Sequence, residues 1–239
     1  PASYTWTQAA YNTVALYHFD TGAETTDSSS YTGSYNNSLT QNGGSTTPST
    51  NTSNAKFGTA AELFSSGFLA SPNSPTTQNL TTQTMTFEAF VKFTSSPSLA
   101  KGTTQVIASK LDSSNYGWSV EVYRSSSGTY YLQFRGSLNG TTLTTVKKSI
   151  SVSTGIYYHL AVTWDKGTVN FYFNGSKKGT ATIGSPGSAV LYSSTAPLRI
   201  GADHTTSKYL KAYIDEAQLS QVLRYTGSSG TYTIPPTAF

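Results

Sequence analysis

YYHLAVTWDKGTVNFYFNG, Tyr157–Gly175, spells out two β-strands and the turns around them. In Tyr158–Trp164 the residues Tyr158, Leu160, Val162 and Trp164 fall on one side of a period-two strand, with His159, Ala161 and Thr163 on the other. That alternation belongs to a sheet with one buried face. Asp165-Lys166-Gly167 turns the chain, and Val169, Phe171 and Phe173 then share a face opposite Thr168, Asn170 and Tyr172. Asn174-Gly175 supplies the two positive φ angles of a type I′ hairpin. Gly179–Ile183 continues the meander as a third strand.

Outward from this run the same period recurs. Met85–Phe93 predicts a long strand with Met85, Phe87, Ala89, Val91 and Phe93 inward; Phe90 on its other side predicts cover on both faces. Gln105–Lys110, Gly117–Tyr123, Tyr130–Arg135 and Leu143–Val152 follow as strands between Ser/Gly/Asn turns, a rhythm that points to an all-β, two-sheet antiparallel jelly-roll sandwich with little helix. From Asp20 to Asn54 the chain is nearly all Thr, Ser, Gly and Asn, read as loops with one short strand around Ser38–Gln41. A chain of 239 residues fits one such domain.

Composition narrows the classes of function. Charged residues make up only 11% of the chain, against about 25% in ordinary soluble domains, so Ser, Thr, Asn, Gln and Tyr wet the surface. The net charge is +4. The basic residues nowhere cluster beyond Lys147-Lys148 and Lys177-Lys178, which speaks against nucleic acid as a partner. There is no cysteine, hence no disulfide frame and no thiolate metal site. No apolar stretch approaches the roughly 20 residues of a membrane helix, so direct membrane insertion is not expected.

Several motifs resemble laminin-G-like domains of the concanavalin A-like lectin/glucanase superfamily. Tyr157–Gly175 is similar to that family's aromatic-His-x-A-x-T-W-D core with its following hairpin, and Thr86–Lys92 to its TIEAWVK strand. Pro197–Gly201 is similar to PLRIG, and Ala212–Leu219 to its IDE strand. His18-Phe19-Asp20 with Asp27-Ser28-Ser29 resembles its opening segment, and Phe57-Gly58-Thr59-Ala60 its FG-x-A. Tyr157 stands where the family usually has Trp. The resemblance implies a jelly roll over residues 14–221, preceded by a linker or edge strand at 1–13 and followed by an extended tail at 222–239. The stretch from Val222 to Phe239 resembles the R-Y-T-x-x-F-x-P-P tail of bacteriophage virion modules. That resemblance implies a virion-surface or extracellular setting, with other virion subunits as partners. Pro235-Pro236 stops strand pairing, leaving Phe239 as an apolar anchor along the domain surface or towards a neighbour.

The same superfamily contains retaining glucanases, whose chemistry needs two carboxyl groups about 5–5.5 Å apart. No two of the eleven acids stand at i and i+2, and Asp215 and Glu216 are adjacent, so a regular strand points them to opposite faces. Cys nucleophile, G-x-S-x-G elbow and HExxH are all missing. The three histidines stand far apart and read as packed residues. The expectation is therefore a non-enzymatic binding module. Jelly rolls of this kind set first and last strands side by side, which makes Asp20, Asp27 and Asp215 candidates for an oxygen-only Ca2+ site; as structural residues, Asp27 would cap a Ser-rich turn and Asp215 would pair with Arg199 or Arg224.

Two strands carry the candidate ligand face. With Trp118, Val120 and Val122 inward, Ser119, Glu121 and Tyr123 look out. With Tyr130, Leu132 and Phe134 inward, Tyr131, Gln133 and Arg135 look out. Glu121, Tyr123, Tyr131, Gln133 and Arg135 then offer aromatic rings with hydrogen-bonding groups between them, the mixture a sugar's apolar face and hydroxyls require. The expected ligand is a host-surface carbohydrate. A virion component that makes only subunit contacts is the alternative, and a glycan hydrolase the third reading.

Overall fold

The hairpin read from Tyr157–Gly175 lies in the larger of two sheets. Strand β11 (Tyr157–Asp165) pairs antiparallel with β12 (Thr168–Phe173), Leu160 opposite Phe173 and Trp164 opposite Val169. Lys166 and Gly167 carry φ values of 43° and 101°, and Asn174 and Gly175 values of 46° and 80°. These are the left-handed conformations that the turns demand. The computed structural model describes residues 12–29, 37–42, 45–75, 83–94, 100–205, 207–226 and 230–239.

Sheet A runs β13 (Ser176–Thr182), β12, β11, β6 (Thr84–Phe93), β15 (Ala212–Ser220), β4 (Ala61–Phe64), β3 (Ser49–Asn51), with β1 (Thr13–Tyr17) also paired to β15. Sheet B runs β10 (Thr144–Ile150), β9 (Tyr130–Gly136), β8 (Asn115–Arg124), β7 (Thr103–Asp112), β14 (Leu198–Ile200), β5 (Phe68–Ser71), β2 (Thr40–Asn42). All strand pairs between named strands are antiparallel. Beyond one 3-10 turn at Thr52–Asn54, no helix of consequence forms among the described residues. The expected jelly-roll sandwich is therefore the observed fold.

The core lies between the sheets. Met85, Phe87, Ala89, Val91 and Phe93 face Trp118, Val120, Val122, Leu132 and Phe134 across it, with Leu160, Val162, Trp164, Val169 and Phe171 in the same cluster. Each follows the alternation read from the sequence. First and last strands are neighbours as expected, Ala15 opposite Leu219. Strand β3 was not foreseen: Ser49-Thr50-Asn51 carries no apolar alternation, and as a three-residue edge strand it is specified by its pairing to β4. Of the expected amino-terminal segment, residues 1–11 lie outside the described residues, and Thr13 already belongs to β1.

The cover predicted by Phe90 is the carboxy-terminal tail. Val222 O accepts from Thr86 Oγ1 (2.6 Å), and Arg224 Nε pairs with Glu88 Oε1 (2.5 Å). Tyr172 Oη donates to Tyr225 O (2.8 Å), and Tyr232 Oη meets His159 Nδ1 (2.7 Å). Phe239 packs against Phe90 in a tilted pair with centroids 5.7 Å apart. His159 and Glu88 are buried beneath this strap, 3.1 Å apart. The packed reading of His159 holds, and Phe239 anchors along the domain's own surface.

Candidate functional site

The candidate residues do share the outer side of sheet B. Register places Tyr123 opposite Tyr131, Glu121 opposite Gln133 and Ser119 opposite Arg135, so β8 and β9 present three cross-strand pairs on one side. The next strand sets Lys147 opposite Gln133. Behind this face Trp118, Val120, Val122, Leu132 and Phe134 are locked in the core, which makes it a rigid platform rather than a loop site.

The five candidates divide into a buried half and an accessible half. Glu121 is fully buried: it accepts from Ser119 Oγ (2.7 Å), Gln133 Nε2 (2.6 Å) and Arg135 Nε (2.5 Å). Arg135, only 13% exposed, bridges on to Asp203 Oδ2 (3.1 Å), which Lys208 Nζ also approaches (3.5 Å). Asp203 comes from the β14–β15 connection, pinned onto sheet B by Val106 N–H to Lys208 O (3.0 Å) and Ser109 Oγ to Ala202 O (2.8 Å). Burial alone would raise the Asp203 carboxyl; the Thr205 donors and the Lys208 and Arg135 charges outweigh it and hold the group below the usual range. Two buried carboxylates thus share one guanidinium, an arrangement that fixes the floor of the face.

Tyr123 and Tyr131 stand half-exposed on that floor. Their rings stack at 28° with centroids 6.0 Å apart. Lys147 Nζ sits over both, 4.4 Å from the Tyr123 centroid and 4.6 Å from that of Tyr131. Lys147, Asp203 and Lys208 were not foreseen as part of this surface. In β10 the residues Thr145, Lys147 and Ser149 lie on one side, opposite Arg135, Gln133 and Tyr131, a register that the loop joining β9 and β10 hides in the sequence.

The calcium candidates do not assemble. Asp27 Oδ1 accepts from Leu16 N–H (3.1 Å) and Ser29 N–H (2.9 Å), and its Oδ2 from Asn37 N–H (3.1 Å), the expected turn cap. Asp20 Oδ1 accepts from the N–H groups of Thr59 and Ala60. Asp215 Oδ2 accepts from Lys56 N–H (2.6 Å) and Phe57 N–H (3.0 Å), rather than pairing with Arg199 or Arg224. Each carboxylate is clasped by backbone donors, which oppose a cation, whereas Ca2+ needs six to eight oxygen ligands. Among the described residues no group of three or more His, Asp or Glu is placed to hold a metal. These residues do not fit a shared calcium: Asp20 and Asp215 staple the loop running into β4, while Asp27 holds the segment that follows β1. Gly58 shows how tightly: a Cβ there would stand 2.2 Å from Asp20 Oδ1.

The adjacent acids Asp215 and Glu216 depart from the opposite-face expectation. Glu216 has φ 58° at a bulge in the β15–β6 pairing. Its carboxylate meets His18 Nδ1 (2.9 Å) and Phe239 N–H (2.8 Å). Asp215 is pushed up to about 7, chiefly by burial against the two backbone donors, with Glu216 and Asp20 adding to the rise. Both side chains are buried under the Phe57 and Phe239 segments. A polymer cannot reach them.

Comparison with known proteins joins the sequence motifs to this fold. Residues 66–224 match the profile of a laminin-G family described as the concanavalin A-like lectin/glucanases superfamily. The chain belongs to this family. No curated protein matches it by sequence. Among solved structures it is similar to domain 4 of AbnA, a GH43 extracellular arabinanase from Geobacillus stearothermophilus, in complex with arabinotriose: 21% identity, TM-score 0.61, covering 93% of this chain and 94% of that one. It is also similar to the binding domain of Paraclostridial Mosquitocidal Protein 1, with 13% identity and TM-score 0.64, covering 90% of this chain and 50% of that one. A botulinum neurotoxin type C structure, described as entering cells through two ganglioside molecules, gives 13% identity and TM-score 0.63 over 91% and 49%. The chain spans about half the length of these toxin domains. At such identities the likeness is one of fold.

Proposed function

We propose that the protein is a non-enzymatic carbohydrate-binding module whose ligand face is the outer side of β8, β9 and β10. The observation that carries this is the half-exposed Tyr123–Tyr131 pair, stacked 6.0 Å apart on a sheet surface braced by the Arg135, Glu121 and Asp203 network. Two rings in fixed array offer apolar faces to a sugar, and their hydroxyls with Lys147 and Ser149 offer polar partners. Glu121 and Gln133 act by positioning Arg135 and the strands. The acids most alike a catalytic pair, Asp215 and Glu216, are buried, which supports a role without hydrolysis.

The arabinotriose complex of the arabinanase domain and the ganglioside use of the neurotoxin support sugar as the ligand class. The resemblance of the carboxy-terminal tail to virion modules supports a virion-surface or other extracellular assembly that meets host carbohydrate. No helix among the described residues is long and apolar enough to cross a membrane. A glycan array probed with the wild-type protein and with Tyr123→Ala and Tyr131→Ala tests the reading: saturable binding weakened by both substitutions is expected, and binding indifferent to both refutes the assigned face.

One observation favours the purely structural alternative. Leu138, Val190 and Tyr192 are 40%, 53% and 41% exposed at the same end of the sandwich, where Tyr192 N–H donates to Ser137 O (2.9 Å). Such side chains suit contact with a neighbouring subunit. Blank glycan arrays together with intact particle assembly would favour that role.

A further inference from the structure

We infer that the sugar taken by this face is acidic, an oligosaccharide whose carboxylate or sulfate pairs with Lys147 above the Tyr123–Tyr131 rings; the inference rests on the carbohydrate reading above. Lys147 is exposed, and its charge lies over the two rings at 4.4 and 4.6 Å. Among the described residues it has no carboxylate partner. The two acids of this face, Glu121 and Asp203, are 0% exposed and already paired to Arg135, with Lys208 on the second. What remains towards solvent above the two rings is the Lys147 ammonium.

The geometry discriminates between two classes of ligand. A neutral sugar that stacks on the tyrosines must push the ammonium off both rings and lose two cation–π contacts. An acidic sugar leaves the ammonium where it is, uses it as a charge-assisted donor, and lays its apolar face beside the rings. Buried acids behind the floor do not repel the incoming anion, since Arg135 and Lys208 neutralise them at contact distance. The face is thus arranged to hold a cation that the protein itself does not satisfy.

The test is an array carrying matched neutral, sialylated, sulfated and uronate-containing oligosaccharides, followed by titration of 3′-sialyllactose, 3′-sulfolactose and lactose on intact protein at low and moderate salt. Acidic glycans are expected to dominate the array, and the acidic member of a bound pair to exceed its neutral counterpart at least about tenfold, a margin that shrinks with salt. Lys147→Ala should erase the margin and Lys147→Arg keep it, while Lys178→Ala, an exposed cation on β13 of sheet A, should leave it unchanged. Unshifted melting of Lys147→Ala separates a lost contact from a lost fold. Equal binding of neutral and acidic partners, or a margin that survives Lys147→Ala, overturns the inference and leaves the carbohydrate reading standing. An array blank for every class removes both.

Discussion

The two outer faces of the sandwich both carry aromatic rings and are differently closed. On sheet A, Phe90, His159 and Tyr172 lie under a strap formed by Arg224, Tyr225, Tyr232 and Phe239, and the charges of Glu88 and Arg224 meet beneath it. On sheet B, Tyr123 and Tyr131 carry only the Lys147 ammonium, and solvent reaches them. Aromatic content alone does not mark a binding surface. Whether a segment from elsewhere in the chain has already taken the rings does.

The largest effect should come from breaking the closed face. Arg224→Ala leaves the buried Glu88 carboxylate without its cation, and loss of one partner of a buried pair costs about 3–5 kcal/mol. Urea unfolding should show that loss, while glycan affinity measured on the folded fraction stays at wild type. A comparable fall in affinity would mean that the two faces are coupled.

Protonation sharpens the contrast next. Asp215, on the closed side, is raised from 3.8 to about 7. In the unfolded chain it ionises near pH 4, so between about pH 4 and 7 only the folded form keeps the proton, and stability falls as pH rises through that window. Glu62, buried and raised to about 7 by desolvation with the Glu24 charge adding to it, acts in the same sense. On the open side Asp203 is lowered, so its contribution is lost only under stronger acid, below the ordinary carboxylate pKa. Chemical unfolding should therefore show greater stability at pH 5.5 than at pH 7.5. Asp215→Asn, which still accepts from Lys56 and Phe57, should flatten much of that slope and gain about 2–4 kcal/mol at pH 7.5, at about 1.4 kcal/mol per pKa unit. A slope unchanged in this variant would place the titration elsewhere.

On the open face the expected effects are smaller in energy and confined to binding. Tyr131→Ala should reduce glycan affinity by about tenfold, near 1.4 kcal/mol, yet cost less than about 1 kcal/mol of stability as a cross-strand pair. Isothermal titration and a melting curve on one preparation read both. The smallest effect should be that of Phe239→Ala: losing one half-buried ring contact costs about 1 kcal/mol and leaves binding untouched. If this variant instead creates a new glycan site, the strap is a cover over a second face.

Much of this division was legible in the sequence, and the rest was hidden for definite reasons. Strands β6, β8, β9, β11 and β12 each send one row of apolar side chains between the sheets, so their alternation states which side is inward, and Phe90 announced a covered second side. The outward set Glu121, Tyr123, Tyr131, Gln133 and Arg135 came from the same rule. Alternation gives direction but not burial. Glu121 vanishes beneath Arg135 and a connection from far along the chain, which carries Asp203. Lys147 was hidden by the uncountable register across a loop. The convergence of Asp20, Asp27 and Asp215 failed because backbone N–H groups, invisible as residue types, take their oxygens. Glu216 was misplaced by a positive φ that no glycine signals.

Strand β10, which carries Lys147, is also the terminal strand of sheet B, and among the described residues β9 is its one hydrogen-bonded strand partner. Such a margin can template pairing with another copy of the chain, and lysines along it are a common deterrent. The same ammonium therefore answers to two demands, partner choice at the rings and solubility at the rim. Sequence change at this position is doubly constrained: a neutral replacement trades ligand preference for a tendency to self-assemble, which would surface as concentration-dependent association rather than as misfolding.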